Sequence, residues 1–163
     1  LFMGNTDHVG IKGPHGAGET TLLEHIRSLP DPSIAILDIP QELNEMQQED
    51  VLKRIAALSD AARGTVLSTV AQLNSRPDRI LEGGRTSPGE MRKLMLALGM
   101  LDHPQLIIMD EPTNHLDLHS TEALERALAS YPGALLLVSH DHAFLKACAN
   151  RIWEVSDGAV WER

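Results

Sequence analysis

The sequence predicts an α/β fold: a mainly parallel sheet with helices on both faces and a small helical subdomain at about residues 42–104. Three observations carry this. Short β-prone segments alternate with segments of helical periodicity through most of the 163 residues, the pattern of a parallel sheet covered on both sides. Leu106 to Met109 and Ala134 to Val138 are unbroken apolar runs, which mark strands buried on both faces. A glycine-rich turn, Gly13 to Gly18, separates the first strand from the first helix.

Taken in order, Val9 to Lys12 reads as a short strand entering that turn. Thr20 to Ser28 reads as a helix with Leu22, Leu23 and Ile26 on one face. Ser33 to Ile39 is β-prone and Pro40 ends it. From Gln41 to about Leu81 the chain is polar and helical. Val51, Ile55 and Leu58, then Val66, Val70 and Leu73, recur at helical spacing, so two helices fit. Ser87 to Leu101 is a stronger helix, with Met91, Leu94, Met95 and Leu98 at i, i+3, i+4 and i+7. Thr121 to Ser130 and Asp141 to Ala149 are helical. Arg151 to Val155 and Ala159 to Glu162 flank Asp157-Gly158, a hairpin signal.

Residues 1–163 are read as a single domain, long enough for its own core. Aromatic residues are 3% of the chain, so that core must be aliphatic. No apolar run is long enough to span a bilayer, and no charged-then-apolar leader opens the chain; Leu1-Phe2 suggests a fragment. The net charge of −9 argues against direct DNA binding, which needs clustered Lys and Arg. Cys148 is the one cysteine, which excludes an internal disulfide and suits a reducing cytoplasm. His15, His115 and His142 have no metal-ligand spacing.

Gly13-Pro14-His15-Gly16-Ala17-Gly18-Glu19-Thr20 has the spacing G-x-x-x-x-G-K-[ST] of a phosphate-binding loop, except at Glu19. Glycines let the backbone curl until several N–H groups point at one anion. The following helix N-terminus adds partial positive charge, and Thr20 can offer its hydroxyl to magnesium. A lysine at position 19 would attract the outer phosphates. Glu19 repels them by a similar amount, roughly 4 kcal/mol per unit pair at ~4 Å and an effective dielectric of ~20. Weakened nucleotide binding and slow or absent hydrolysis are expected. Two other poses exist: Glu19 fills the anion site itself, a carboxylate being welcome in a first helical turn, or it turns to solvent. Without the remaining motifs, the segment would read as a plain glycine-rich turn.

Leu106 to Met109 leads into Asp110 and Glu111. Residues at the carboxyl edge of a parallel sheet face the ligand crevice, so Asp110 is placed to hold magnesium and Glu111 to act as general base on water. The continuation Met109-Asp110-Glu111-Pro112-Thr113-Asn114-His115-Leu116-Asp117 resembles the Walker B and D-loop of ATP-binding cassette (ABC) proteins. Its Asn-His-Leu-Asp form resembles the F subfamily, whose members carry paired cassettes without membrane spans and act mostly on ribosomes. That resemblance implies the P-loop NTPase fold and ATP with Mg2+ as ligands.

Thr86-Ser87-Pro88-Gly89-Glu90 resembles the family's signature motif, usually L-S-G-G-[QE]; Ser87, Gly89 and Glu90 fit, while Thr86 and Pro88 depart. In the family this motif meets the nucleotide held by a second cassette. On its residues alone it is a capped helix. Gln41 resembles the Q-loop glutamine near magnesium and the attacking water, and His140 the switch histidine that contacts the γ-phosphate. The resemblance implies that Gly13, Pro14, His15, Gly16, Ala17, Gly18, Glu19, Thr20 and Thr21 hold phosphates. Thr20, Gln41 and Asp110 would serve magnesium, and Glu111, His140 and Gln41 catalysis. The family's N-terminal β region, which carries an adenine-stacking aromatic, is missing or reduced.

Three functions follow. One is a cytoplasmic ATPase half of an F-type translation or antibiotic-resistance factor, partnered by a second cassette and the ribosome. Another is a degenerate cassette that binds or pairs without hydrolysis. The third is the ATP-binding subunit of a membrane transporter.

Overall fold

The computed structural model describes residues 1–14, 16–29, 31–76, 79 and 86–163. The elements are β1 (His8–Lys12), α1 (Glu19–Ser28), β2 (Ile36–Ile39), α2 (Glu45–Ala56), α3 (Asp60–Gln72), α4 (Pro88–Met100), β3 (Leu106–Asp110), α5 (Leu118–Ala129), β4 (Ala134–Val138), α6 (His142–Cys148), β5 (Arg151–Ser156) and β6 (Ala159–Glu162). One six-stranded sheet runs β2-β3-β4-β1-β5-β6. Its first five strands are parallel and β6 pairs antiparallel with β5.

The apolar runs divide by side-chain alternation. Ile107, Met109, Leu135 and Leu137 face one side, where they pack with Leu124 and Leu128 of α5 and Phe144 and Leu145 of α6. Ile108, Leu136 and Val138 face the other, with Val9, Ile11 and Leu23 of α1. Both layers are mainly aliphatic, with Phe144 and Trp153 their buried aromatics and Tyr131 packed at the edge of the first, as the scarcity of aromatics requires. Helices α2, α3 and α4 build a third core from Val51, Ile55, Val66, Val70, Met91, Leu94, Ala97 and Leu98. All the spaced apolar residues of that stretch are buried except Leu58 and Met95, which pack at its edge.

Several boundaries shift for local reasons. Helix α5 begins three residues before the Thr121 that periodicity suggested, because Asp117 Oδ1 accepts from Ser120 N at 2.7 Å and caps it. Strand β2 begins at Ile36 because a turn uses the residues before it: Ser33 N donates to Asp31 Oδ1 at 2.8 Å and Ile34 N to Asp31 O at 2.9 Å. The predicted hairpin forms, with Asp157 at φ 51° and Gly158 at φ 72°, both positive as its tight two-residue turn demands. The expectations placed on His15 and on residues 80–81 lie outside the described residues.

Candidate functional site

The register of the sheet assembles the site. Ile11 of β1 and Asp110 of β3 both align with Val138 of β4. The strands are parallel, so Gly13, Glu111 and His140, each a residue or two further on, emerge at one carboxyl rim. On the far side Ile39 aligns with Met109, which brings Gln41 to the same rim. Gly16, Glu19, Thr20, Gln41, Asp110, Glu111, Asn114, Val138 and His140 line one open cleft of about 560 Å³. The curled turn and the acidic pair therefore converge.

The loop owes its shape to Gly16 and Gly18, at φ 81° and 104°, values an L side chain resists. Ala17 N closes the turn on Pro14 O at 2.9 Å. Gly18 is the N-cap of α1 and supplies no side-chain cap, so this helix begins without one. Pro14, Gly16, Thr20 and Thr21 are exposed, whereas Gly13, Ala17 and Gly18 are half-buried.

Glu19 does not turn to solvent. It is 8% exposed, and its Oε2 lies 3.6 Å from His140 Nε2. Its Oε1 lies 3.4 Å from the point that a β-carbon on Gly13 would occupy, so the carboxylate folds back over the loop. The same His140 nitrogen lies 3.4 Å from Glu111 Oε1. One imidazole edge thus faces two carboxylates. Glu111 itself sits at φ 47°, a strained conformation for this residue that aims it along the rim.

Burial raises the pKa of Glu111, opposed by the His140 ring and backbone. Burial also raises that of Asp110, opposed by the cations Arg27 and Arg92. Arg27 is fixed by a bidentate pair with Asp38, at 2.7 and 2.8 Å. Arg92, 4% exposed, donates to Glu111 O at 3.0 Å and Asp110 O at 2.8 Å. It ties α4 to the end of β3. Its neighbour Lys93 donates to Ser120 Oγ at 2.8 Å, Ser75 Oγ at 3.1 Å and Asn74 O at 3.3 Å, which locks α4 to the starts and ends of α5 and α3.

Thr20, Gln41 and Asp110 offer a hydroxyl, an amide carbonyl and a carboxylate. This all-oxygen set suits magnesium, which leans on one or two carboxylates and on phosphate. A carboxylate whose charge is disfavoured by burial is one a cation relieves. These residues fit a magnesium ion. Glu19 fits an outer phosphate badly, since it brings an anion to an anion's place. No group of three or more His, Cys, Asp or Glu among the described residues could hold a metal on its own.

Ser87, Gly89 and Glu90 stand apart from the cleft, at the N-terminus of α4. There Ser87 Oγ accepts from Glu90 N at 3.2 Å while Glu90 Oε2 accepts from Ser87 N at 2.9 Å, a closed capping box. Arg92 and Lys93 escaped the reading of the sequence as site supports. The available signal was two charged residues inside the most apolar helical stretch of the chain. Asn114, which also lines the cleft, appeared there only as part of a motif.

A family model described as "ABC transporter" matches residues 3–114. ABC transporter F family member 2 of Arabidopsis thaliana is 31% identical over 99% of this chain and 26% of its own length. The ribosome protection protein VmlR of Bacillus subtilis is 32% identical over 96% of this chain and 27% of its own. The chain thus spans about a quarter of the length of these curated relatives. Among solved structures, a dimeric post-hydrolysis state of the ATP-binding cassette MJ0796, bound to ADP and Pi, superposes with a TM-score of 0.77. It is 20% identical, covering 100% of this chain and 87% of that one. No described helix is long and apolar enough to cross a membrane.

Proposed function

Because this chain belongs to the ABC family of ATP-binding cassettes, matched over residues 3–114, we propose that its cleft binds magnesium–ATP and hydrolyses it slowly. The energy would drive pairing with a second cassette on a soluble cytoplasmic target such as the ribosome. The observation that carries the proposal is the meeting of Thr20, Gln41, Asp110, Glu111 and His140 along one cleft.

The roles follow from position. The backbone from Gly13 to Thr21 cradles phosphates at the N-terminus of α1. Thr20, Gln41 and Asp110 hold magnesium, which when bound would draw charge from the phosphate oxygens. Glu111 takes a proton from the attacking water on its carboxylate; the pKa that burial raises makes it a better base than a free glutamate. His140 donates from Nε2 to the outermost phosphate. Ser87, Gly89 and Glu90, which do not line this cleft, serve the nucleotide of the paired cassette. Residues 42–104 form the subdomain that carries them.

Glu19 favours a second reading, a cassette that binds and pairs without turnover. Phosphate release from the protein, a Glu19→Lys variant and a Glu111→Gln variant separates the two. Turnover that rises at least about tenfold with lysine supports slow hydrolysis limited by charge, tenfold being about 1.4 kcal/mol of barrier. Glu111→Gln should abolish it. Equal rates for the protein and Glu19→Lys would defeat the electrostatic argument. Co-sedimentation with ribosomes tests the target.

A further inference from the structure

We infer that Glu19 makes this cleft selective for a nucleoside diphosphate over a nucleoside triphosphate, its carboxylate standing in the subsite of the outermost phosphate. The inference rests on the reading of the cleft as a nucleotide site.

Three placements converge. The side chain at this position of a phosphate loop reaches toward the outer phosphates, while the loop amides cradle the inner ones. Here Glu19 is buried, and its two oxygens define its direction: Oε1 lies over Gly13 and Oε2 lies 3.6 Å from His140 Nε2. His140 is the donor assigned to the outermost phosphate, and it is already engaged by the chain's own anion. Glu111 Oε1 also stands 3.4 Å from the same nitrogen. A helix N-terminus with no side-chain cap lies beneath, where a carboxylate is favoured. Glu19 therefore acts as a tethered anion at the outer end of the phosphate track.

A diphosphate ends one phosphate short of His140 and leaves the pair intact. A triphosphate must displace Glu19 from His140 or lie against it, an anion beside an anion in a partly buried cleft. The inner phosphates are assigned to the loop backbone and the N-terminus of α1, so the penalty falls on the third.

Isothermal titration with ADP and with a non-hydrolysable ATP analogue, both with magnesium, reads this without turnover. The protein should bind ADP at least about tenfold more tightly, a floor well below what one unscreened like-charge contact would produce, because solvent and magnesium screen the open cleft. Glu19→Gln, isosteric and neutral, should bring the two affinities within about threefold, chiefly by tightening the triphosphate. Glu19→Lys should reverse the preference. Wild-type protein that holds the triphosphate analogue as tightly as ADP overturns the inference whatever the variants do. So does an unchanged ratio in a Glu19→Gln variant whose thermal melt shows it folded. Binding of both nucleotides with no discrimination would leave the cleft reading standing and this inference fallen. Binding of neither, by protein or variants, would bring down the nucleotide reading itself.

Discussion

Glu19 and Glu90 are the same residue type in the first turn of two helices, and the chain uses them in opposite ways. Glu90, at the third position of α4, reaches back to the amide of Ser87 and closes a capping box on its own helix. Glu19, at the first position of α1, follows a glycine with no side chain to answer it and reaches outward to His140, a residue beyond β4. The third position puts a carboxylate within reach of the N-cap amide; the first does not. A glutamate in the first turn is structural where it can bite its own helix. Where it cannot, it belongs to whatever lies opposite. In this fold that is the rim of the cleft.

The two regions are not independent, because α4 also carries Arg92. Arg92→Met should be the largest single effect considered. It takes the buried guanidinium donor from the carbonyls of Asp110 and Glu111, the latter keeping Asn114 N, and should cost about 2–3 kcal/mol, a drop of roughly 5–10 °C in Tm for a chain of this length. A thermal melt by circular dichroism checks it. A loss under about 2 °C would mean that the cleft holds its shape without help from α4. Ser87→Ala comes next. It opens the capping box and should cost about 1 kcal/mol, or roughly 2–4 °C, while leaving nucleotide affinity of the isolated chain unchanged, since Ser87 does not line the cleft.

Much of this was legible in the sequence. The strands Leu106–Asp110 and Ala134–Val138 stand out because parallel strands buried on both sides leave no polar alternation to blur them. The loop, the acidic pair and His140 are local patterns, and parallel pairing alone obliges them to share a rim. The orientation of Glu19 was open between anion site and solvent because it depends on a partner 121 residues away in sequence. The buried seats of Arg92 and Lys93 were hidden for a related reason. Periodicity assigns charged residues to the exposed face, and here carbonyls of the β3 end and the hydroxyls of Ser75 and Ser120 supply what water would. Helix α5 starts three residues ahead of the Thr121 that periodicity predicts; Asp117 reads equally as part of a motif and as a cap.

The acidic rim also predicts a pH effect with a definite sign. Glu111 and Asp110 have pKa values raised in the folded chain by burial. The folded state therefore holds their protons more tightly than the unfolded state. Stability from these groups is greatest below the ordinary carboxylate range and is lost as pH rises through the folded pKa values. Above those values both are charged, and the buried charge is destabilising. Glu111→Gln and Asp110→Asn should each raise Tm of the nucleotide-free protein by about 1–3 °C at pH 7, with the gain vanishing near pH 4. A lower Tm at neutral pH in either variant would mean that Arg27, Arg92 and His140 already compensate the charge in full.

The smallest effect is the most pointed for the contrast between the two glutamates. Glu90→Gln removes the charge and keeps the geometry, since an amide oxygen accepts from Ser87 N as a carboxylate oxygen does. What is lost is the favourable meeting of a negative charge with the N-terminal end of α4, about 0.3–0.5 kcal/mol on an exposed surface and less with added salt. Tm should fall by no more than about 2 °C, and affinity of the isolated chain for either nucleotide should stay within about twofold, because the side chain closes the capping box of α4 and does not line the cleft. The same isosteric change at Glu19 is expected to reshape nucleotide preference. A shift of ADP-to-triphosphate preference in Glu90→Gln as large as in Glu19→Gln would show that charge anywhere in the chain acts on the cleft at long range, and that the reach of Glu19 to His140 is not what matters.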